Sequence, residues 1–204
     1  MLFSDTYKTI ESTADGIFRD KGSKFIAIAY PIITESEVKP IIANLKLEHS
    51  KARHFCYAYR LTPDRSMFRI NDDGEPSGTA GKPILNCILS ADLTNILIVV
   101  VRYFGGTLLG VPGLINAYKT ASNEAIKAAT IIDKTVNDIY EVHFEYLQMN
   151  DVVKLIKEEN LLVLEQHFDI NCNLKIEVRK SYLNQVITKF DKIEKVKLTY
   201  LTTI

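Results

Sequence analysis

The sequence predicts an α+β chain of two domains, and three observations carry that prediction. Its 204 residues are 47% hydrophobic and 25% charged, enough to bury a core in one or two domains. The run Asn95–Phe104 is almost wholly apolar and β-branched, the pattern of a central strand buried on both faces. Around Asp133–Asn137 the pattern restarts, and the remainder reads β-α-β-β-α-β. The expected domains are therefore residues 1–133 and 134–204.

Taken in order, a first strand is expected over Thr6–Thr13 and a second over Lys24–Tyr30, stopped by Pro31. A helix follows, capped by Thr34 or Ser36, with Val38, Ile41, Ile42 and Leu45 at helical spacing. Pro40 fits if this helix begins near Ser36, which leaves the proline in the first turn. In His54–Leu61, Phe55, Tyr57, Tyr59 and Leu61 share one strand face, and His54, Cys56, Ala58 and Arg60 share the other. Arg65–Ile70 is its hairpin partner across Thr62-Pro63-Asp64. Beyond the loop Asn71–Lys82, a short helix Pro83–Leu89 precedes the buried strand. The glycine loop Gly105–Gly113 then leads into a long helix to about Ile131, whose apolar stripe is Leu114, Ile115, Tyr118, Ala121, Ala125 and Ala129. In the second domain, Tyr140–Tyr146 alternates as a half-exposed strand and Asn150 caps a helix carrying Val152, Val153 and Ile156. Leu161–Phe168 and Ile170–Val178 are strands, Ser181–Asp191 is a helix, and Lys195–Thr202 closes the sheet.

Composition narrows the function. With 25 basic and 25 acidic residues there is no global positive field, so nucleic acid would need a local patch. The segment Lys51–Arg69 offers one: Lys51, Arg53, Arg60, Arg65 and Arg69 stand against Asp64 alone. The longest strongly apolar run, Ile96–Val101, is far short of a membrane span, and Met1–Asp5 shows no secretory pattern. Cys56, Cys87 and Cys172 form no C-x-x-C pair, and His49, His54, His143 and His167 have no zinc-ligand spacing. These features predict a soluble cytoplasmic protein with reduced, buried thiols and no membrane contact. The oligomeric state is left open.

Two glycine-rich segments carry the candidate chemistry. Asn71-Asp72-Asp73-Gly74-Glu75-Pro76-Ser77-Gly78-Thr79-Ala80-Gly81-Lys82-Pro83 is not a nucleotide-binding P-loop, because Pro76 and Pro83 occupy positions where that motif needs Gly and Ser/Thr. It does place glycines, Ser77, Thr79 and Lys82 before a helix whose N-terminus offers free N–H groups to an anion. The plainer reading is a turn and a helix cap. Asp72, Asp73 and Glu75 are candidate Mg²⁺ ligands, although their spacing matches no cation loop; apart from that Mg²⁺ no cofactor is expected. The second segment, Arg102–Gly113, joins the buried strand to a helix, and Arg102 needs a partner: Asp72, Asp73 or Glu75 from the first segment, or a bound phosphate. His54 is a candidate base on a strand edge. Phe55, Tyr57 and Tyr59 read either as a base-stacking platform or as core.

Arg69-Ile-Asn-Asp-Asp-Gly-Glu-Pro-Ser-Gly-Thr-Ala-Gly-Lys-Pro-Ile-Leu85 together with Val99-Val-Val-Arg-Tyr-Phe-Gly-Gly-Thr-Leu-Leu-Gly110 closely resembles the signature of the IMPACT/YigZ family. Lys21-Gly-Ser-Lys-Phe-Ile-Ala27 and Cys56-Tyr-Ala-Tyr-Arg60 fit its earlier motifs. The likeness covers the first domain; the second is similar to the bacterial branch in arrangement. The resemblance implies an N-terminal fold like the second domain of a small-subunit ribosomal protein. It also implies a ferredoxin-like βαββαβ C-terminal domain similar to domain V of elongation factor G. Eukaryotic relatives regulate translation by competing for an activator of a stress kinase. Arg53-His54 stands where relatives often carry two histidines, and Asn116 stands where they often carry arginine. The matching positions include Lys24, Arg60, Asp72, Asp73, Glu75, Ser77, Thr79, Lys82, Arg102 and Tyr103.

The leading expectation is a translation-related regulator that binds RNA or the ribosome through a basic glycine-loop anion site. Lys24, Arg53, His54, Arg60, Ser77, Thr79, Lys82, Arg102 and Tyr103 are its candidate binding residues. The alternatives are a regulator that binds a protein partner, and an enzyme acting on a small phosphorylated or nucleotide substrate with the acidic trio holding metal; no catalytic residue is named.

Overall fold

A computed structural model describes residues 5–169 and 171–204. The chain divides into two compact units: Tyr7–Lys134, and Thr135–Ile204 together with Asp5 and Thr6. Asp5 and Thr6 thus group with the C-terminal unit, not with the N-terminal domain expected from the sequence. Among the described residues, no helix is long and apolar enough to cross a membrane.

The larger unit is built on β2 (Ala14–Asp20), β3 (Ser23–Pro31), β4 (His54–Leu61), β5 (Met67–Asn71) and β6 (Ile96–Tyr103), in the order β2-β3-β6-β4-β5. Every pairing is antiparallel. A separate two-stranded ribbon joins β1 (Thr6–Ile10) to β7 (Ile131–Thr135). The expected strand Thr6–Thr13 ends early, and neither β2 nor β7 is evident from sequence pattern. β2 turns into β3 through Lys21 and Gly22, both at positive φ, as a two-residue hairpin requires.

Strand β6 is central, and its residues from Ile96 to Arg102 are all buried. Helices cover both faces of this antiparallel sheet, which explains a pattern more usual in parallel sheets. On one face, Ile98 and Val100 meet Phe25, Cys56 and Ala58, with α2 (Gly81–Ser90) and α3 (Gly110–Ala128) above them. Ala117, Ala121 and Ala125 let α3 lie close: a Cβ on Gly16 of β2 would come within 2.3 Å of the Ala125 backbone. Ile115, expected in the α3 stripe, faces outward instead. On the other face, α1 (Val38–Glu48) covers Phe55, Tyr59, Leu61, Val99 and Val101. A 3₁₀ turn, Glu35–Glu37, precedes α1, so Pro40 does fall in its first turn. The aromatic row of β4 is therefore core and not a stacking platform.

The smaller unit runs β8 (Asn137–Glu145), α4 (Met149–Glu158), β9 (Leu162–His167), β10 (Asn171–Arg179), α5 (Leu183–Phe190) and β11 (Lys197–Thr203). Its antiparallel sheet has the order β11-β8-β10-β9. Cys172, Leu174, Ile176 and Val178 of β10 pack under Val152, Leu155 and Ile156 of α4 and Val186 and Phe190 of α5. The opposite face carries Asn173, Lys175 and Glu177, so only one side of the sheet is buried. Asn150 lies inside α4, which follows a 3₁₀ turn, and so does not cap it; Ile170 lies outside the described residues. Arg179 grips Asp5 with Nε 2.7 Å and Nη2 3.0 Å from its carboxylate, and these hydrogen bonds hold the Asp5 carboxyl well below the usual range.

Candidate functional site

The first glycine segment spends its acids inside the fold. Asp72 occupies the place expected for an anion: its carboxylate accepts the N–H groups of Gly78 (2.9 Å), Ala80 (3.0 Å) and Gly81 (2.8 Å). These include the amides of Ala80, the N-cap of α2, and of Gly81, its first residue, so the chain's own carboxylate sits at the helix N-terminus. Asp73 accepts the Phe55 N–H at 2.7 Å, and its carbonyl lies 2.9 Å from His54 Nδ1. Because a carbonyl only accepts, Nδ1 carries the proton and Nε2 is left to other partners.

Glu75 takes Arg102. Their side chains, 4% and 6% exposed, meet at 2.5 Å, and the Tyr118 hydroxyl donates to the same Glu75 oxygen at 2.7 Å. The guanidinium also lies over Phe25 at 5.4 Å and Phe104 at 5.6 Å, within cation–π range. The Cys56 thiol is within hydrogen-bond distance of Tyr118 Oη (3.2 Å) and the Asp72 carbonyl (3.0 Å), and burial pushes that thiol far up from its ordinary range. Arg102 Nε is buried with no hydrogen-bond partner among the described residues.

These facts correct several expectations. Asp72, Asp73 and Glu75 do not converge as metal ligands, since each carboxylate serves a different internal partner; no group of three metal-type side chains exists among the described residues. Thr79 is buried, and its hydroxyl donates to the Pro76 carbonyl at 2.6 Å, closing the turn and not facing a ligand. Arg60 is six residues along β4 from His54, roughly 20 Å away at strand rise. It binds the Leu93 carbonyl (3.2 Å) and Asp92 (3.6 Å). The Tyr103 hydroxyl is held by His49 Nδ1 at 2.8 Å. Lys24 pairs in register with Tyr103 on the α1 side of the sheet and does not line the cavity described next. Ser77 is exposed on the first loop. Lys82 instead borders a separate groove of about 530 Å³ with Asn86, Cys87 and Lys119, where burial pushes the Cys87 thiol up to about 11.

Around the buried pair the two glycine segments do meet. A cavity of about 680 Å³ is lined by Lys51, Arg53, His54, Gly74, Glu75, Arg102, Tyr103, Phe104 and Leu108. Register explains the gathering: His54 pairs with Arg102 across β4 and β6, and the Arg53 N–H donates to the Arg102 carbonyl at 3.4 Å. Lys51 and Arg53 come off the turn after α1, where the Ala52 N–H donates to the His49 carbonyl at 2.8 Å. Both are exposed, and neither forms an ion pair among the described residues. With Glu75 matched to Arg102, two positive charges on this wall stay uncompensated. The sequence alone does not single out Lys51, Phe104 and Leu108 as site residues. Lys51 stands in the basic run, but nothing in the pattern marks Phe104 as exposed.

The fold and cavity define a two-unit α+β protein with a cationic hollow at the ends of two central strands, β4 and β6, of an antiparallel sheet. Comparison places that class among known proteins. The Impact N-terminal domain matches residues 21–126, all within the larger unit. The IMPACT family member YvyE of Bacillus subtilis is 30% identical over 179 residues, covering 88% of this chain and 82% of its own. The IMPACT family member YigZ of Escherichia coli is 38% identical over 138 residues, 67% of this chain and 68% of its own. A crystal structure of a hypothetical protein superposes with a TM-score of 0.76 at 26% identity, covering 98% of this chain and 99% of that one. The chain belongs to the IMPACT family.

Proposed function

We propose that this protein regulates translation from the cytoplasm by binding RNA, free or in the ribosome, through the cavity at Lys51, Arg53 and His54. One observation carries the reading. Two cations without ion-pair partners among the described residues border a 680 Å³ cavity, and Glu75, the carboxylate on its lining, is occupied by Arg102. Phosphate oxygens are the natural complement of such a wall, and phosphate contacts dominate RNA affinity. Family membership supplies the translational setting. The strand order β11-β8-β10-β9, with α4 and α5 on one face, supports a ferredoxin-like C-terminal unit similar to domain V of elongation factor G. Likeness of the larger unit to a ribosomal-protein domain belongs to the same reading.

The test is fluorescence anisotropy of a labelled single-stranded RNA at 50 and 200 mM salt. Two to three phosphate contacts predict a roughly 7- to 20-fold loss of affinity across that range. Affinity that does not change with salt contradicts the proposal.

A protein-partner reading has one observation in its favour. The edge strand β5 exposes Met67 (44%) and Phe68 (61%), and an apolar edge can accept a partner's strand. One protein recovered stoichiometrically after nuclease treatment, and no longer recovered with Phe68→Lys, would favour this reading over RNA.

A further inference from the structure

We infer that the cavity selects single-stranded RNA by stacking one unpaired base on Phe104, while Lys51 and Arg53 hold the adjoining phosphate. The inference rests on the RNA reading above and adds the form of RNA that is bound. Phe104 is 50% exposed, although it directly follows the most deeply buried strand of the molecule. The Arg102 guanidinium, 5.6 Å from its centroid, backs the ring. That cation is itself fixed by Glu75 and by the Phe25 ring. Phe104 is thus a supported aromatic surface with half its area in solvent, the arrangement a nucleobase needs for stacking.

The backbone beside it is equally fixed. The Gly105 N–H donates to Ser23 Oγ at 3.1 Å, and a Cβ on Gly105 would fall 1.9 Å from the Gly22 carbonyl carbon. The close approach of these two glycines holds the ring at the cavity rim. Past it the chain opens. Gly106 adopts φ +88°, a Cβ there would meet nothing within 4 Å, and Leu108 is 82% exposed on the lining. The cavity lining therefore combines two exposed cations with two exposed apolar side chains. One nucleotide has both characters. A base-paired duplex keeps its bases stacked within the helix and offers only its backbone, which Phe104 and Leu108 do not complement. An acidic peptide would satisfy Lys51 and Arg53 but leave the aromatic ring unused.

The experiment compares a short labelled single strand, its blunt duplex and a polyglutamate peptide against the whole chain. Phe104→Ala is expected to weaken the single strand by roughly 5- to 150-fold, the range for losing one stacked base, and to leave the duplex within about twofold. Phe104→Tyr should retain single-strand binding, and thermal unfolding confirms that each variant is folded. Lys51→Ala with Arg53→Ala should weaken both RNAs. If Phe104→Ala leaves single-strand binding intact, or weakens strand and duplex equally, base stacking is overturned while the RNA reading stands. If wild type binds neither RNA, both fall; if it binds polyglutamate alone, the surface reads protein.

Discussion

Two parts of the cavity lining handle their polar groups in opposite ways: the glycine-rich loop Asn71–Lys82, and the turn before β4 together with the chain just past β6. In Asn71–Lys82, Asp72, Asp73 and Glu75 each find partners inside the fold, and Thr79 closes its own turn. Facing them, the end of β6 and the turn before β4 leave Phe104, Lys51 and Arg53 toward solvent. The first loop, together with Arg102, builds the floor, while Phe104 and the turn before β4 present the contacts. A loop rich in glycine and acid is therefore no sign of a ligand site by itself. What matters is which charges remain once the fold has used the others.

Breaking the floor should cost the most. Glu75→Ala strands the Arg102 guanidinium with its charge buried, and a loss of about 3–5 kcal/mol is expected in urea unfolding. Loss below about 1 kcal/mol would mean that Arg102 reaches water. Asp72→Ala removes a carboxylate accepting three backbone N–H groups, and about 2–3 kcal/mol should go with it. The contact side behaves differently: Lys51→Ala with Arg53→Ala should change stability by no more than about 0.5 kcal/mol, and a larger change would put these residues in the floor.

A pH-dependent effect belongs to the other unit. Asp5 is held below its ordinary carboxylate value by hydrogen bonds from Arg179. A depressed folded value means that its contribution is present above the unfolded value, about 4, and disappears as the pH falls below it. The stability difference between wild type and Asp5→Asn should accordingly be full at about pH 6 and shrink toward about pH 2. A difference independent of pH would show that the Asp5–Arg179 pair contributes nothing.

Much of this architecture is legible in sequence. The buried strand, the restart near residue 134 and the core face of β4 follow from apolar periodicity, which burial enforces. β2 escapes such reading because Ala14-Asp-Gly-Ile-Phe-Arg-Asp20 lies at a half-exposed sheet edge, where burial scarcely selects side chains. The site is only partly legible. Arg102 clearly needs a partner, but three acids compete for it. The choice of Glu75 depends on Asp72 and Asp73 turning to backbone amides up to 18 positions away. Capping across nine residues, as from Asp72 to Gly81, has no local sequence signature. Phe104 reads as the last residue of an apolar strand until the Gly22–Gly105 approach shows that the chain turns there.

The most direct test is the slope of log affinity for single-stranded RNA against log salt, in wild type and in the Lys51→Ala, Arg53→Ala double variant. If these two cations meet phosphates, the slope should become shallower by about 1.4, at roughly 0.7 for each phosphate left unneutralised. An identical slope in the two proteins would contradict the account.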